Sequence, residues 1–272
     1  EAAARLLEAR GHDVHRVCLV NDRGVHIMKS MLAYQKWGAG STPESENLKG
    51  DHFVGNWYVV FAQKVAAERK ALALPDDQPT PLEAEAAEWL RKWEAGDTEI
   101  RVLWARMTDW VLAGFRESYA MLGVSFPREY RESDIYEEGR RIVADAFARG
   151  VFVKDEKGNT VAPLKDRFGL DDKVVERADG TTVYATQDLA LAAAKQRDLH
   201  PDRSIIVTAN EQDFYFRQLF AIFELLGWPD AHRNRHRSYG MVELPEGRMK
   251  SREGTVVDAD DLIAELTRLA EE

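Results

Sequence analysis

Hydrophobic positions along the chain follow two patterns, short apolar runs typical of buried strands and longer segments with the 3.6-residue period of helices. Near the start, the helix-forming EAAARLLEAR precedes the strand-like HRVCLVN and the helical GVHIMKSMLAYQKW, which Gly38 ends. The alternation returns late in the chain, where successive segments predict strand, helix, strand, helix and strand: TTVYAT, QDLALAAAKQR, DRSIIVTAN, EQDFYFRQLFAIFELLG and SYGMVEL. This rhythm predicts an α/β fold, a Rossmann-like parallel sheet with helices on both faces.

The stretch between these halves has a different character and predicts an insertion. It opens with the link GAGSTPESENLKG and continues with helical segments around residues 57–70 and 81–95 and a long amphipathic helix whose N-cap is Asp97. Two hairpins follow, which turn at residues 157–159 and 179–180. We therefore predict a Rossmann-like core made of residues 1–38 and 179–245, interrupted by an α+β insertion at residues 39–178. Residues 246–272 are predicted to form a loop that leads into a linker.

Composition and charge narrow the class of protein. Of the 272 residues, 44% are hydrophobic and 31% are charged, and the formal net charge is -10. With no secretion signal and no long apolar run, these values predict a cytoplasmic globular protein without a membrane span. A single cysteine, Cys18, excludes a disulfide framework and a cysteine zinc site within one chain, and we predict that it is buried. The acidic balance excludes a surface that attracts nucleic acid uniformly.

Polar residues at the predicted carboxyl ends of strands are candidates for ligand binding, because parallel α/β sheets bind ligands at that edge. In VYATQDLA, Asp188 could accept paired N–H bonds from a guanidinium, with Tyr184 as a flat wall beside it. Alternatively, Asp188 only complements the dipole of the next helix. Glu211 and Gln212, which follow DRSIIVTAN, could meet a ribose or an amino group, or could belong to a plain helix cap.

Two further segments leave the same kind of choice open. The turn Asn21-Asp22-Arg23-Gly24 follows the first strand and is either a binding turn or a plain connection. The loop EGRMKSREGT, residues 246–255, has three cationic residues between two glycines. It overlaps the basic stretch 232–252, which contains six Lys or Arg residues and two acidic residues. It does not fit a Walker A loop. Its cations could close over a polyphosphate, although a solvated charge run would look similar.

Taken in order, several segments resemble the catalytic domain of arginyl-tRNA synthetases, a family of class I aminoacyl-tRNA synthetases. They are VNDRGVHIMKSMLAYQKWG, GDHFVGNWYV, DGTTVYATQDLA, NEQDFYFRQLFAIFELLG and SYGMVELPEGRMKSREGTVVDADDL, and the resemblance covers nearly the whole chain. It implies that L-arginine and ATP, with Mg²⁺, form arginyl-adenylate, after which the arginyl group passes to tRNA. It also implies that the insertion corresponds to the connective peptide of the class.

The resemblance further implies roles for individual residues. Asp188 would pair with the guanidinium in an arginine site that also includes Tyr184, Gln212, Asn21 and Asp22. The ATP site would comprise Ala209, Glu211, Tyr239, Met241 and Val242, and a loop of K-M-S-K type over the pyrophosphate would supply the catalytic Arg248, Lys250, Ser251 and Arg252. No residue is predicted to ligate a metal ion, because Mg²⁺ would arrive with ATP, and we expect a monomer.

Departures from the family pattern limit what the chain is expected to do alone. The K-M-S-K pattern reads Arg248-Met249-Lys250-Ser251, Ala209 replaces a usual glycine, and Gln187 stands where arginine is common. The H-x-G-H signature and the anticodon-binding domain are absent, so we expect an incomplete core of a longer ligase. Two alternatives stay open: a folded fragment that at most binds arginine or nucleotide weakly, and a class I synthetase for another amino acid.

Overall fold

The computed structural model describes residues 1–241 and 258–271, and the chain divides into two compact units. The first unit comprises residues 1–12, 21–126 and 243–272, and the second comprises residues 13–20 and 127–242. Within the described residues, no helix has the length and apolar character that crossing a bilayer requires. The division into a core and an insertion stays a prediction.

Helices dominate the described part of the chain. They are α1 (Ala2–Ala9), α2 (Val25–Trp37), α3 (Gly50–Ala71), α4 (Pro81–Glu94), α5 (Thr98–Met121), α6 (Glu132–Ala148), α7 (Lys165–Phe168), α8 (Tyr184–Leu199), α9 (Asp213–Leu225) and α10 (Ala259–Glu271), with short 3₁₀ turns at Asn210–Gln212 and Ala231–Arg233. The strands are β1 (Val17–Val20), β2 (Arg128–Arg131), β3 (Val153–Lys154), β4 (Thr160–Ala162), β5 (Lys173–Glu176), β6 (Ser204–Ala209) and β7 (Asn234–Tyr239).

The regular elements described in the first unit are all helices, namely α1 to α5 and α10. One of its apolar clusters joins α2, α3 and α4 through the buried Leu32, Phe61 and Ala86. The start of α4 is fixed by a capping box, in which Thr80 Oγ1 accepts from Glu83 N at 3.3 Å and a Glu83 carboxylate oxygen accepts from Thr80 N at 2.9 Å. The predicted helices around residues 57–70 and 81–95 are therefore confirmed as α3 and α4.

Close approach of α3 and α5 depends on two glycines. A Cβ at Gly50 would lie 2.0 Å from the carbonyl oxygen of Trp110, and a Cβ at Gly114 would lie 2.2 Å from an Asp51 carboxylate oxygen. Since no side chain fits in either place, the two helix backbones can come together only at glycine. The prediction that Asp97 caps α5 is confirmed, because its carboxylate accepts from the Ile100 N–H at 3.1 Å.

The second unit contains two parallel strand pairs and one antiparallel sheet. β1 pairs with β2 from Val17 opposite Arg128 onward, and β6 pairs with β7 from Ser204 opposite Asn234 onward. β3, β4 and β5 form the antiparallel sheet, which includes the hairpin predicted to turn at residues 157–159. The parallel pairs alternate with helices as the sequence predicted. Cys18, which we predicted to be buried, is half-buried in β1.

Packing in the second unit centres on α6, α8 and α9. Leu189 of α8 and Leu219, Ile222 and Phe223 of α9 are at most 1% exposed and belong to one apolar cluster. α6 lies directly against the start of α8, because a Cβ at Gly139 would be only 2.4 Å from the carbonyl oxygen of Thr186. These contacts hold the first turns of α8 in a fixed position.

Two predicted strands are wrong in their placement. TTVYAT does not form a strand: only Thr182 makes an isolated bridge, to Glu176, and α8 already begins at Tyr184. The reason is local, since the Thr186 hydroxyl accepts from the Val183 N–H at 3.2 Å and so stabilises a helix start that the β-branched residues conceal. SYGMVEL, residues 238–244, was predicted as the last strand; β7 includes its first two residues but begins earlier, at Asn234, where the polar sequence NRHRSY pairs with β6, and residues 242–244 lie outside the described part of the chain.

Candidate active site

The start of α8 presents the two residues that the sequence assigned to an arginine site. Tyr184 is the first helical residue and Asp188 lies four positions later, so the two side chains emerge on the same helix face. Tyr184 is 75% exposed, which leaves its ring uncovered, whereas Asp188 is half-buried. Because Asp188 lies beyond the first turn of α8, where the helix dipole acts most strongly, dipole compensation explains its position poorly.

The Asp188 carboxylate is held by a hydrogen bond from another helix. The Tyr215 hydroxyl of α9 donates to Asp188 Oδ2, and the Lys173 ammonium lies 4.9 Å from the centre of the Tyr215 ring. Burial raises the pKa of Asp188, while the Tyr215 hydrogen bond and the charge of Lys195 act in the opposite direction. Burial and the neighbouring Asp188 charge raise the pKa of Tyr215, so this hydroxyl stays a donor. A carboxylate in such surroundings favours a cationic partner.

A second carboxylate, which sequence reasoning missed, lies one side chain away. Glu132 begins α6 and is 2% exposed, and its Oε1 accepts from Gln187 Nε2 at 2.6 Å. Gln187 is the neighbour of Asp188 in the chain. Glu132 directly follows β2, which is parallel to β1, so it occupies a strand's carboxyl end like the other candidates. That signal was hidden because the polar sequence REYR did not predict a strand.

The residues predicted to bind ATP meet at the carboxyl ends of β6 and β7. Ala209 and Tyr239 are the last residues of these strands and lie opposite each other in the parallel register. Glu211 follows in the 3₁₀ turn after β6, and Met241 follows β7. Tyr239 is 55% exposed and Met241 is 42% exposed, so both side chains are accessible at this edge.

A polar network supports this edge from within the second unit. His236 of β7 lies between Thr208, whose hydroxyl is 2.8 Å from Nε2, and Asp213, whose carboxylate is 3.1 Å from Nδ1. The imidazole also stacks on Phe216 with ring centres 4.4 Å apart. Gln212, predicted for the arginine site, is exposed in the same turn, one helical turn before Tyr215. The network therefore fixes the start of α9, from which Tyr215 reaches Asp188.

The predicted arginine-site residues of the first unit form a packed turn. Asp22 is 3% exposed, and its carbonyl oxygen accepts from Trp104 Nε1 at 2.5 Å. Arg23 is 4% exposed and forms an ion pair with Glu94, whereas Asn21 is exposed. Binding roles for Asn21 and Asp22 stay predictions.

The first unit also holds a cluster of possible metal ligands. One donor atom from each of Asp51, His52 and Asp260 lies within 4.8 Å of the others. The Lys49 ammonium contacts both carboxylates, at 3.1 Å from Asp51 and more closely from Asp260. Because a lysine already neutralises the centre of this cluster, it is an ion-pair network that joins the start of α3 to α10.

Comparison with known proteins decides the family. The family model described as tRNA synthetases class I (R), catalytic domain, matches residues 1–272. The chain belongs to this family. The predicted fold class is thereby confirmed, since the parallel strand pairs and their helices are those of a class I synthetase catalytic domain.

Relatives of this class I synthetase chain agree with the assignment. It is 48% identical over 275 residues to the arginine–tRNA ligase of Parabacteroides distasonis and 47% identical over 277 residues to that of Amoebophilus asiaticus. These alignments cover 99% and 100% of the chain but 46% of each relative, so the chain spans about half of their length. The crystal structure of arginyl-tRNA synthetase from Plasmodium falciparum shares the fold, with a TM-score of 0.66 at 17% identity over 99% of this chain and 41% of that one.

The predicted phosphate loop of this synthetase domain lies outside the described residues. Arg248, Lys250, Ser251 and Arg252, together with Val242 of the predicted ATP site, fall between residues 241 and 258. Their roles stay predictions.

Proposed function

We propose that the protein containing this chain attaches L-arginine to its tRNA, with ATP and an arginyl-adenylate intermediate, and that this chain supplies the catalytic core. The observation that carries the proposal is the Asp188 carboxylate, half-buried in α8 and oriented by Tyr215, within a class I synthetase domain. A planar guanidinium can donate two parallel N–H bonds to such a carboxylate. The exposed ring of Tyr184 offers a face for the same group.

The ATP-binding proposal rests on the edge formed by β6 and β7. With Ala209 and Tyr239 side by side, a small residue admits a ribose while the accessible tyrosine borders the base. Of the predicted ATP residues, Glu211 is the one carboxylate, which fits a Mg²⁺ ion held chiefly by the nucleotide's own phosphates. Such an ion would neutralise phosphate charge during adenylate formation. Arg248, Lys250 and Arg252 would add positive charge on the pyrophosphate.

Two alternative functions are distinguished from this proposal by the same experiment. A class I synthetase for an uncharged amino acid would offer the Asp188 carboxylate no substrate cation to offset the cost of its burial. A fragment that binds arginine or nucleotide without catalysis would have the same side chains but no exchange activity. The monomeric state and the cytoplasmic location stay predictions.

The test is ATP–pyrophosphate exchange with tRNA present, measured on the 272-residue chain and on the intact protein with each amino acid in turn. We expect exchange in the intact protein to depend on arginine. Losing one charge of an occluded ion pair costs about 3 to 5 kcal/mol, and the partial exposure of Asp188 places Asp188→Asn at the lower end, about a hundredfold in kcat/KM for arginine. Asp202→Asn changes an exposed carboxylate in the same way and should retain activity. Dependence on another amino acid, or a loss below about threefold in Asp188→Asn, would refute the proposal.

A further inference from the structure

A cavity of about 280 Å³ lies in the second unit at the amino ends of β6 and β7. Ser204 and Asn234, which begin these strands, belong to its wall, as do Lys195 of α8 and Trp228. The proposed ATP-binding residues lie at the opposite, carboxyl ends of the same two strands. The cavity is therefore separate from that edge.

Lys195 is the unusual group in this wall, because its ammonium is buried without a full set of acceptors. The residue is 8% exposed, and Nζ donates to the Ser204 hydroxyl at 2.9 Å. An ammonium carries three donors, and Ser204 is its one hydrogen-bond partner in the part of the chain that the structure describes. Burial lowers the pKa of Lys195 to about 8, while the Asp188 charge opposes that shift, so the group is still mainly charged at neutral pH.

The remainder of the wall adds donors and apolar surface. Arg233 and Gln196 both contact Asp230, at 3.0 and 2.6 Å, so the one carboxylate among the described lining residues is already engaged. The Trp228 ring and Pro229 provide apolar surface. A cationic group with spare donors beside an aromatic wall suits a ligand that is anionic at one end and apolar at the other.

We propose that this cavity binds a small molecule that carries an oxyanion, a carboxylate or a phosphate, on a compact apolar body. The Lys195 ammonium pairs with the oxyanion and supplies the donors that Ser204 leaves unused. Trp228 contacts the apolar body. The volume is close to the lower limit of roughly 300 Å³ for ligand pockets, which restricts the ligand to the size of a small aromatic acid or a short phosphate ester.

The proposal is tested by fluorine NMR titration of the intact protein with para-fluorobenzoate, followed by competition with inorganic phosphate. We expect saturable binding with a dissociation constant on the order of 1 mM. Lys195→Met should weaken it at least about tenfold, because it removes the charged donor. Lys165→Met, which changes an exposed lysine of α7, should leave it within about twofold. Displacement by phosphate would identify the phosphate class of ligand, and binding that phosphate does not displace would identify the carboxylate class.

Several results would overturn the proposal. They are equal binding of the uncharged para-fluorobenzyl alcohol, unchanged binding in Lys195→Met, and no binding of either anion at about ten times the expected dissociation constant. A second measurement needs no variant and so does not depend on whether Lys195→Met folds. Reductive methylation of the unaltered protein, read by mass spectrometry, should be slowed at least about fivefold at Lys195 by bound para-fluorobenzoate, but not at Lys165. Absence of that protection would also overturn the proposal.

Discussion

Tyr215→Phe removes one hydroxyl and leaves the ring in place, so it isolates the hydrogen bond that Tyr215 donates to Asp188. A hydrogen bond to a charged group contributes about 1.5 to 3 kcal/mol. At about 1.36 kcal/mol per pKa unit, its loss should raise the pKa of Asp188 by about one to two units. The direction follows because the hydrogen bond stabilises the ionised carboxylate and opposes the effect of burial.

The assay is the pH dependence of the KM for arginine in ATP–pyrophosphate exchange. If Asp188 binds the guanidinium as proposed, binding requires its ionised form, so KM should rise on the acid side, and in Tyr215→Phe this rise should begin about one to two pH units higher. The kcat at saturating arginine should change little, since Tyr215 acts by positioning and stabilising the carboxylate. Tyr130→Phe is the matched control, because that hydroxyl contacts a different carboxylate, Asp198, at 3.3 Å. If the KM for arginine in Tyr215→Phe began to rise at the same acid pH as in the unaltered protein, the reasoning would be refuted.

Three stability predictions follow from the packing and the buried charge. Gly50→Ala should destabilise the protein by about 2 kcal/mol or more, because the added Cβ would meet the Trp110 backbone. Gly55→Ala is the control in the same helix: open space surrounds that position, so this variant should stabilise the protein by about 0.5 to 1 kcal/mol. Thr80→Ala should cost about 1 kcal/mol through loss of the α4 cap. Folding lowers the pKa of Lys195 from 10.5 to about 8, so the unfolded chain binds more protons than the folded chain between these pH values. The free energy of unfolding, relative to that of Lys195→Met, should therefore rise by up to about 3 kcal/mol as the pH increases across that window.

Denaturant unfolding with matched slopes measures all three effects. Equal stabilities of the Gly50→Ala and Gly55→Ala variants would show that α3 and α5 can separate at little cost. A flat difference between the unaltered protein and Lys195→Met from pH 7.5 to 10.5 would show that Lys195 is better solvated than its surroundings indicate.

Periodicity predicted α3, α4 and α5 well because each of these helices buries apolar residues along one face. The same approach failed for β2 and β7, whose sequences REYR and NRHRSY carry almost no apolar pattern and are held by backbone pairing with β1 and β6. Strands of this kind gain their stability from long-range neighbours, which local sequence does not reveal.

The candidate site shows the same division between local and long-range information. Asp188 was proposed because its type and its place after a predicted strand suggested a guanidinium partner. Tyr215 and Glu132 were missed because each reaches the α8 region from a different helix, through contacts with Asp188 and Gln187. Such contacts depend on tertiary packing, to which residue type and spacing give no guide.

The contact of Gly139 with Thr186 links a glycine that has no proposed binding role to the geometry of the proposed arginine site. Glu132 begins the helix that contains Gly139, and Asp188 follows Thr186 by two residues, so this backbone contact sets the spacing of the two carboxylates. Even one added methyl group would force α6 and α8 apart and alter that spacing. A substitution at Gly139 would therefore alter the proposed arginine site without changing any residue proposed to bind arginine.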